Sequence, residues 1–280
     1  MAWLNAYPTL SAPLPEPALR FIAAGMGVQS TTMLLAAAAG EVGPMPDCAI
    51  FADTMWEPRR VMAHIDRIRP LLPFPLHVIS KGDLRAAAID GAADEDRFAV
   101  PFHIRKANGK LSIGKRQCTK QYKIDPIKRK VREILGVGPK GYLRPRSVEQ
   151  WIGISVDESI RMAPTRVQFM ENRWPLIEAD MTRRQCIRWL ADRQMSAVKS
   201  RCRGCPFQTN EDWRDQRDND PEEFARTIVE DRLIRQRGST PHTEQFMHFS
   251  GVPLADVDLD VPTDVAQLGF DLHCDASCGV

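Results

Sequence analysis

Ala18-Leu19-Arg20-Phe21-Ile22-Ala23-Ala24, followed by Gly25-Met26-Gly27 and then by Val28-Gln29-Ser30-Thr31-Thr32 with an apolar continuation to Ala39, is the stretch from which the fold can be read. The first seven residues make a short buried strand, the glycines a turn, and the residues from Val28 a good helix by composition. A helix that starts just beyond a strand-end turn offers unpaired backbone N–H groups and a partial positive charge, which suits a phosphate. Glycine permits close backbone approach there, and Ser30, Thr31 and Thr32 add hydroxyl donors. The loop is neither a Walker loop, which needs Gly-Lys-Ser/Thr, nor the GxGxxG dinucleotide fingerprint. On these residues alone, a plain strand-to-helix turn with a Ser/Thr cap accounts for it equally well.

Working outward, Cys48 to Ala52 reads as a second buried strand ending at Asp53-Thr54. Pro58 sits where a first helical turn tolerates it, and Arg59 to Leu72 has helical periodicity. Leu76 to Ile79 and Gln150 to Ser155 read as a third and a fourth strand. Strands alternating with helices predict an α/β fold, a doubly wound parallel sheet with helices on both faces. Such sheets bind ligands beyond the carboxyl ends of their strands, where the glycine loop, Asp53, Thr54, Asp157 and Glu158 all fall. The expected organisation is a proline-rich extended leader (1–17), a nucleotide-binding α/β domain (18–180) and a mainly helical, cysteine-bearing region (181–280). Residues 83–114 are weakly patterned and read as an insertion or flap.

The loop resembles a variant of the pyrophosphate-binding loop of ATP pyrophosphatases, S-G-G-x-D-S, keeping Gly27 and Ser30. Gly25, Met26 and Gln29 replace its Ser, Gly and Asp. It is closer to a branch of phosphoadenosine-phosphosulfate (PAPS) reductase-like proteins, many of them phage-encoded, whose loop reads G-G-G-V-Q-S-T. Asp53-Thr54 with Glu57-Pro58 resembles the strand-end D-T of that superfamily. Trp151 to Ser155 with Asp157, Glu158, Ser159 and Arg161 resembles its W-x-G-x-R-x-x-x-S-x-x-R stretch. Gln117-Cys118-Thr119 with Lys123 and Pro126 resembles the C-C-x-x-x-K-x-x-P of its cluster-bearing reductases. The resemblance implies an adenine nucleotide-binding fold of the nucleotide α-hydrolase type. It also implies nucleotide-binding roles for Gly25, Met26, Gly27, Gln29, Ser30, Thr31, Asp53, Thr54, Gly153 and Arg161, and catalytic roles for Asp53, Lys123 and Cys278.

Seven cysteines in a chain without an export-like start point to metal or catalysis rather than disulfides. Cys202-Arg203-Gly204-Cys205-Pro206 is the sharpest local feature, because C-x-x-C places two thiolates on one side of a tight loop. A redox dithiol shares the spacing but normally follows a strand, and none is expected here. With Cys118 taken from the resemblance, the expected centre is a [4Fe–4S] cluster on Cys118, Cys202, Cys205 and Cys274 or Cys278, with zinc as the alternative. Cys48 and Cys186 lie in apolar surroundings and read as core thiols.

The net charge is +2, yet residues 103–146 hold 14 Lys/Arg against Asp125 and Glu133. Such a block suits a nucleotide, DNA or tRNA, and equally a solvated helix face. The histidines show no metal spacing. Composition is that of a soluble globular protein, with 43% hydrophobic and 26% charged residues, and no apolar run is long enough to span a bilayer, so a cytoplasmic location is expected. Together the resemblance and the basic block imply an ATP- and Mg²⁺-dependent adenylating enzyme that activates a nucleic acid for sulfur transfer from a sulfur donor. The alternatives are a reductase of PAPS or adenosine phosphosulfate (APS) using Cys278, and a non-catalytic nucleotide- or nucleic-acid-binding module with structural zinc.

Overall fold

The computed structural model describes residues 13–90, 100–236 and 244–263. In chain order the first half runs β1 (Leu19–Ala23), α1 (Val28–Ala38), β2 (Cys48–Asp53), α2 (Arg59–Ile68), β3 (Leu76–Ser80), α3 (Leu84–Ile89), β4 (His103–Arg105), β5 (Leu111–Ile113) and α4 (Asp125–Ile134). The second half runs β6 (Val148–Ile152), β7 (Met170–Arg173), α5 (Pro175–Glu178), α6 (Arg183–Asp192), α7 (Asn210–Asn219), α8 (Pro221–Gln236) and β8 (Glu244–Phe246). The strand and helix expectations around β1, α1, β2, α2, β3 and β6 are met to within a few residues.

Five strands form one parallel sheet in the order β3-β2-β1-β6-β7. Side-chain alternation sorts the sheet's residues between two cores. Ile22, Ala49, Phe51 and Trp151 pack with α1, α2 and α6 on one face. Phe21, Cys48, Ile50 and Val148 pack with Ile127 and Val131 of α4 on the other. Helices on both faces of a parallel sheet are the expected α/β arrangement. Burial pushes the Cys48 thiol up to about 12 and the Cys186 thiol up to about 11, as suits core thiols. Where the chain enters the sheet, the Leu14 N–H and Arg20 Nε both donate to the buried Glu149 carboxylate.

The described residues of the 83–114 segment are more regular than their sequence suggests. Their described part supplies α3 and the β4–β5 hairpin, and β4 also pairs with the distant β8 in a three-stranded antiparallel sheet. A third core joins Leu84 and Ala88 of α3 with Phe102, Trp213, Ile234 and Met247, so this segment packs with α7 and α8. Meanwhile α6 lies on α1. Among the described residues, no helix is long and apolar enough to cross a membrane.

The helical part is locked to the sheet by buried charge. Glu230 of α8 is 5% exposed and accepts from Trp56 Nε1 at 3.0 Å, from Arg85 Nε at 3.0 Å and from the Arg203 guanidinium. Removing one member of such a network strands the others in low dielectric. Glu230→Ala should therefore cost about 3 kcal/mol of unfolding free energy in a denaturant titration. Glu222→Ala, which breaks the exposed pair with Arg59, should cost less than about 1 kcal/mol.

Candidate functional site

Chain order reverses at β1, with β2 and β3 on one side and β6 and β7 on the other, which opens a crevice beyond the carboxyl ends of β1 and β6. The glycine loop occupies that crevice. Gly27 is the N-cap of α1, in extended backbone (φ −81°, ψ −177°), and no side chain caps the helix. The Ser/Thr cap of the plain-turn reading is thus not made. Ser30 Oγ instead accepts the Gly25 N–H at 2.9 Å and closes the loop on itself. Met26, fully buried, holds a left-handed backbone (φ +59°), the conformation that glycine adopts without strain.

Two glycines at the crevice differ in an informative way. A Cβ on Gly153, just beyond β6, would come within 2.9 Å of the Ser30 nitrogen, so backbone packing requires that glycine. A Cβ on Gly27 would meet nothing within 4 Å. The space in front of α1 is therefore open, and packing gives no reason for glycine at 27.

Polar groups behind the loop hold it in place. Gln29 is buried. Its amide nitrogen donates to Ser155 Oγ at 3.3 Å, and its oxygen accepts from Arg183 at 2.8 Å. Burial pushes the Asp157 carboxyl up, but hydrogen bonds from Ser155 and the Arg183 N–H outweigh it and hold the group below its usual value. Thr31 and Thr32 are fully buried: Thr32 donates to the Val28 carbonyl, and Thr31 Oγ1 lies 2.9 Å from His64 Nε2. An arginine can only donate, so the Arg67 contact at 3.1 Å makes His64 Nδ1 the acceptor and leaves the proton on Nε2, facing Thr31. These two threonines brace the loop from behind, and the Ser30 nitrogen lies against the backbone of Gly153.

The three described candidate ligands line one second cleft. Cys118, Cys202 and Cys205 surround it together with Thr54 and Lys123. Cys202 Sγ lies 3.3 Å from Thr54 Oγ1 and donates to Glu57 Oε1 at 3.4 Å; Lys123 Nζ is 3.8 Å from the same oxygen. The other Glu57 oxygen is buried without a hydrogen-bond partner. Thiol chemistry suits a soft metal centre, but among the described residues no three His, Cys, Asp or Glu side chains are gathered tightly enough to hold an ion. Cys274 and Cys278 lie outside the described residues.

The remaining candidates are dispersed. Asp53 ends β2 and accepts the Met55 N–H at 2.7 Å. Lys123 belongs to the cysteine cleft rather than to the glycine loop. Arg161 pairs with Glu158 and lines a cavity beside α4, on the sheet face opposite α1. Several cations of the basic block 103–146 have partners within the protein. Arg105 pairs with Glu244, Lys130 with Glu133 and Arg146 with Glu171, while Arg132 donates to the carbonyls of Gly138 and Gly141. Glu57, His64, Arg183 and Trp174 were not given roles in the sequence; of these, only Glu57 carried a signal, its place just beyond Asp53-Thr54.

No protein-family profile matches this chain, and no curated protein matches its sequence. Burial and the neighbouring Arg67 lower His64 from its usual 6.5 to about 4, so the folded protein keeps this ring neutral. The unfolded chain then binds the extra proton between those values, and the stabilising contribution, full above pH 6.5, is lost as pH falls towards 4. The loss should reach about 3 kcal/mol. His64→Gln should flatten the difference in melting temperature between pH 7 and pH 4.5, as read by circular dichroism.

Proposed function

We propose that the chain is a nucleotide-binding enzyme of the ATP-pyrophosphatase type, related to the PAPS-reductase-like proteins that its motifs resemble. The open space before Gly27, at the N-terminus of an uncapped helix and at the reversal point of a parallel sheet, carries this reading. Three features of ligand sites coincide there: first-turn helix N–H groups with no hydrogen-bond partner among the described residues, room for an anion and the crevice position.

In this reading the phosphates of ATP lie on the first turn of α1, held by backbone N–H groups, while Ser30, Thr31 and Gln29 keep the loop in shape. A substrate nucleophile attacks the α-phosphate and pyrophosphate leaves, giving an adenylated substrate. Mg²⁺ would supply charge neutralisation of the phosphates, with Asp53 at the end of β2 as a carboxylate donor. Cys118, Cys202 and Cys205, with Cys274, would hold an iron–sulfur or zinc centre, which would supply thiophilic chemistry or brace the turn. Lys123 and Glu57 then control charge around Cys202. A DNA or tRNA acceptor and a sulfur donor remain the proposed partners.

Gln29 favours a second reading. The catalytic loop carries a carboxylate at that position, whereas here a neutral amide is tied to Ser155 and Arg183, as in a binding module without turnover.

Gly27→Asp separates a phosphate site from a plain turn. Aspartate is a strong N-cap, so the variant should melt no lower than the parent protein. A fixed negative charge at the phosphate position should weaken ATP binding by more than about tenfold in calorimetry. Unchanged ATP affinity would remove the loop from the binding site. Pyrophosphate release with ATP, Mg²⁺ and candidate acceptors distinguishes the enzyme from the module. Sulfite release from PAPS or APS would select the reductase.

Anaerobic purification followed by iron, sulfide and zinc analysis should find a metal that the Cys202→Ser/Cys205→Ser double variant fails to retain. Equal metal content in the two proteins would exclude the turn as a ligand.

A further inference from the structure

Cys202 and Cys205 stand at the two ends of a tight turn, which the Cys205 N–H closes by donating to the Cys202 carbonyl at 3.0 Å. Such a turn brings its first and fourth Cα atoms within ~7 Å, and a disulfide bridges Cα atoms about 4.4–6.8 Å apart. Both residues are free thiols, and both line the same cleft. Cys202 is half-buried and Cys205 is buried, so a small oxidant entering the cleft meets Cys202 first. Helix α6 rather than a strand precedes the turn, so the pair lacks the setting of a catalytic dithiol, and a regulatory one fits it.

The turn is tied to the segment that follows β2. Cys202 Sγ donates to Glu57 Oε1 at 3.4 Å and lies 3.3 Å from Thr54 Oγ1, which in turn accepts the Trp56 N–H. The Arg203 N–H donates to the Trp56 carbonyl at 2.8 Å, and a Cβ on Gly204 would overlap the Trp56 ring. Turning the Cys202 sulfur toward Cys205 takes it away from Glu57 and Thr54. Residues 54–57 sit at the carboxyl end of β2, beside β1, so the change is felt next to the glycine loop.

We infer that Cys202 and Cys205 form a thiol–disulfide switch, closed by a peroxide, whose reduced form ties down residues 54–57 and whose oxidised form releases them. Cys202 Sγ attacks one oxygen of hydrogen peroxide, the O–O bond breaks, and a sulfenic acid and one water result. Cys205 Sγ then displaces the hydroxyl from the Cys202 sulfur, and its proton completes a second water. Two thiols thereby lose two electrons, and one peroxide is reduced to two waters. The inference concerns the turn of the metal reading but does not depend on what the reduced thiols bind.

The test treats the full chain, as purified, with a small excess of hydrogen peroxide, blocks the remaining thiols and reads the digested peptides by mass spectrometry. A Cys202–Cys205 cross-link should form in most chains and disappear with dithiothreitol, while Cys48 and Cys186 stay reduced in their apolar cores. Amide hydrogen exchange over residues 54–57 should quicken by at least about threefold on oxidation and return on reduction. In Cys205→Ser the reaction should stop at a Cys202 sulfenic acid, trapped by dimedone. A cross-link from Cys202 to any other cysteine, no cross-link at all, or exchange at 54–57 that ignores oxidation would each overturn the inference. A chain that forms the cross-link yet retains no metal when reduced would refute the metal reading alone.

Discussion

The backbone contact between Gly153 and the first turn of α1 is the constraint on which the crevice depends. Strands β1 and β6 are hydrogen-bonded neighbours, so the loops leaving them diverge from a common edge. With any side chain at 153, the two loops would have to separate, and the Gln29 bridge to Ser155 and Arg183 would lose its geometry. A glycine here keeps the crevice narrow at its floor while its mouth, at Gly27, stays open. Rigid floor and open mouth are what a site needs if it is to hold an anion on backbone N–H groups without first reorganising.

The same economy of positioning serves the cysteine cleft. The Arg203 N–H donates to the Trp56 carbonyl, and its own carbonyl accepts from Gln208 and Gln216. The turn between Cys202 and Cys205 is therefore held by three separate elements: the segment after β2, the residues leading into α7, and α7 itself. Buried charge at Glu230 and Arg203 is poor value as stability, because desolvation offsets most of the attraction. Its use here is placement, since only one arrangement satisfies all of its donors together.

How much could be read beforehand follows from how local each signal is. Strands β1, β2, β3 and β6 are carried by runs of consecutive apolar residues, and α1 by composition. Strand β7 escaped notice because Met170-Glu171-Asn172-Arg173 is polar in sequence. Its buried polar groups find partners only in the fold, Asn172 at the Ala163 carbonyl and Arg173 at Glu178. The small sheet escaped for a related reason: β4 and β8 are three residues each and lie far apart in the chain. Within the site, spacing alone marks Cys202 and Cys205, whereas the glycine loop and Cys118 were legible through the resemblance. The backing of Thr31 by His64 and the pairing of Cys202 with Glu57 arise from packing between α1 and α2 and between the β2 loop and the cysteine turn. No spacing rule encodes them.

Met26 shows how far the loop depends on the rest of the molecule. Its left-handed backbone is disfavoured for a bulky residue, and the burial of its side chain among Ile22, Met33 and their neighbours compensates for that strain. A glycine at this position would let the turn hold its shape by itself. With methionine, the shape is on loan from the core, and a peptide of residues 24–32 grafted onto another scaffold would relax into a different turn. The loop is accordingly not a portable module, and its ligand-ready form exists only while the sheet beneath it is folded.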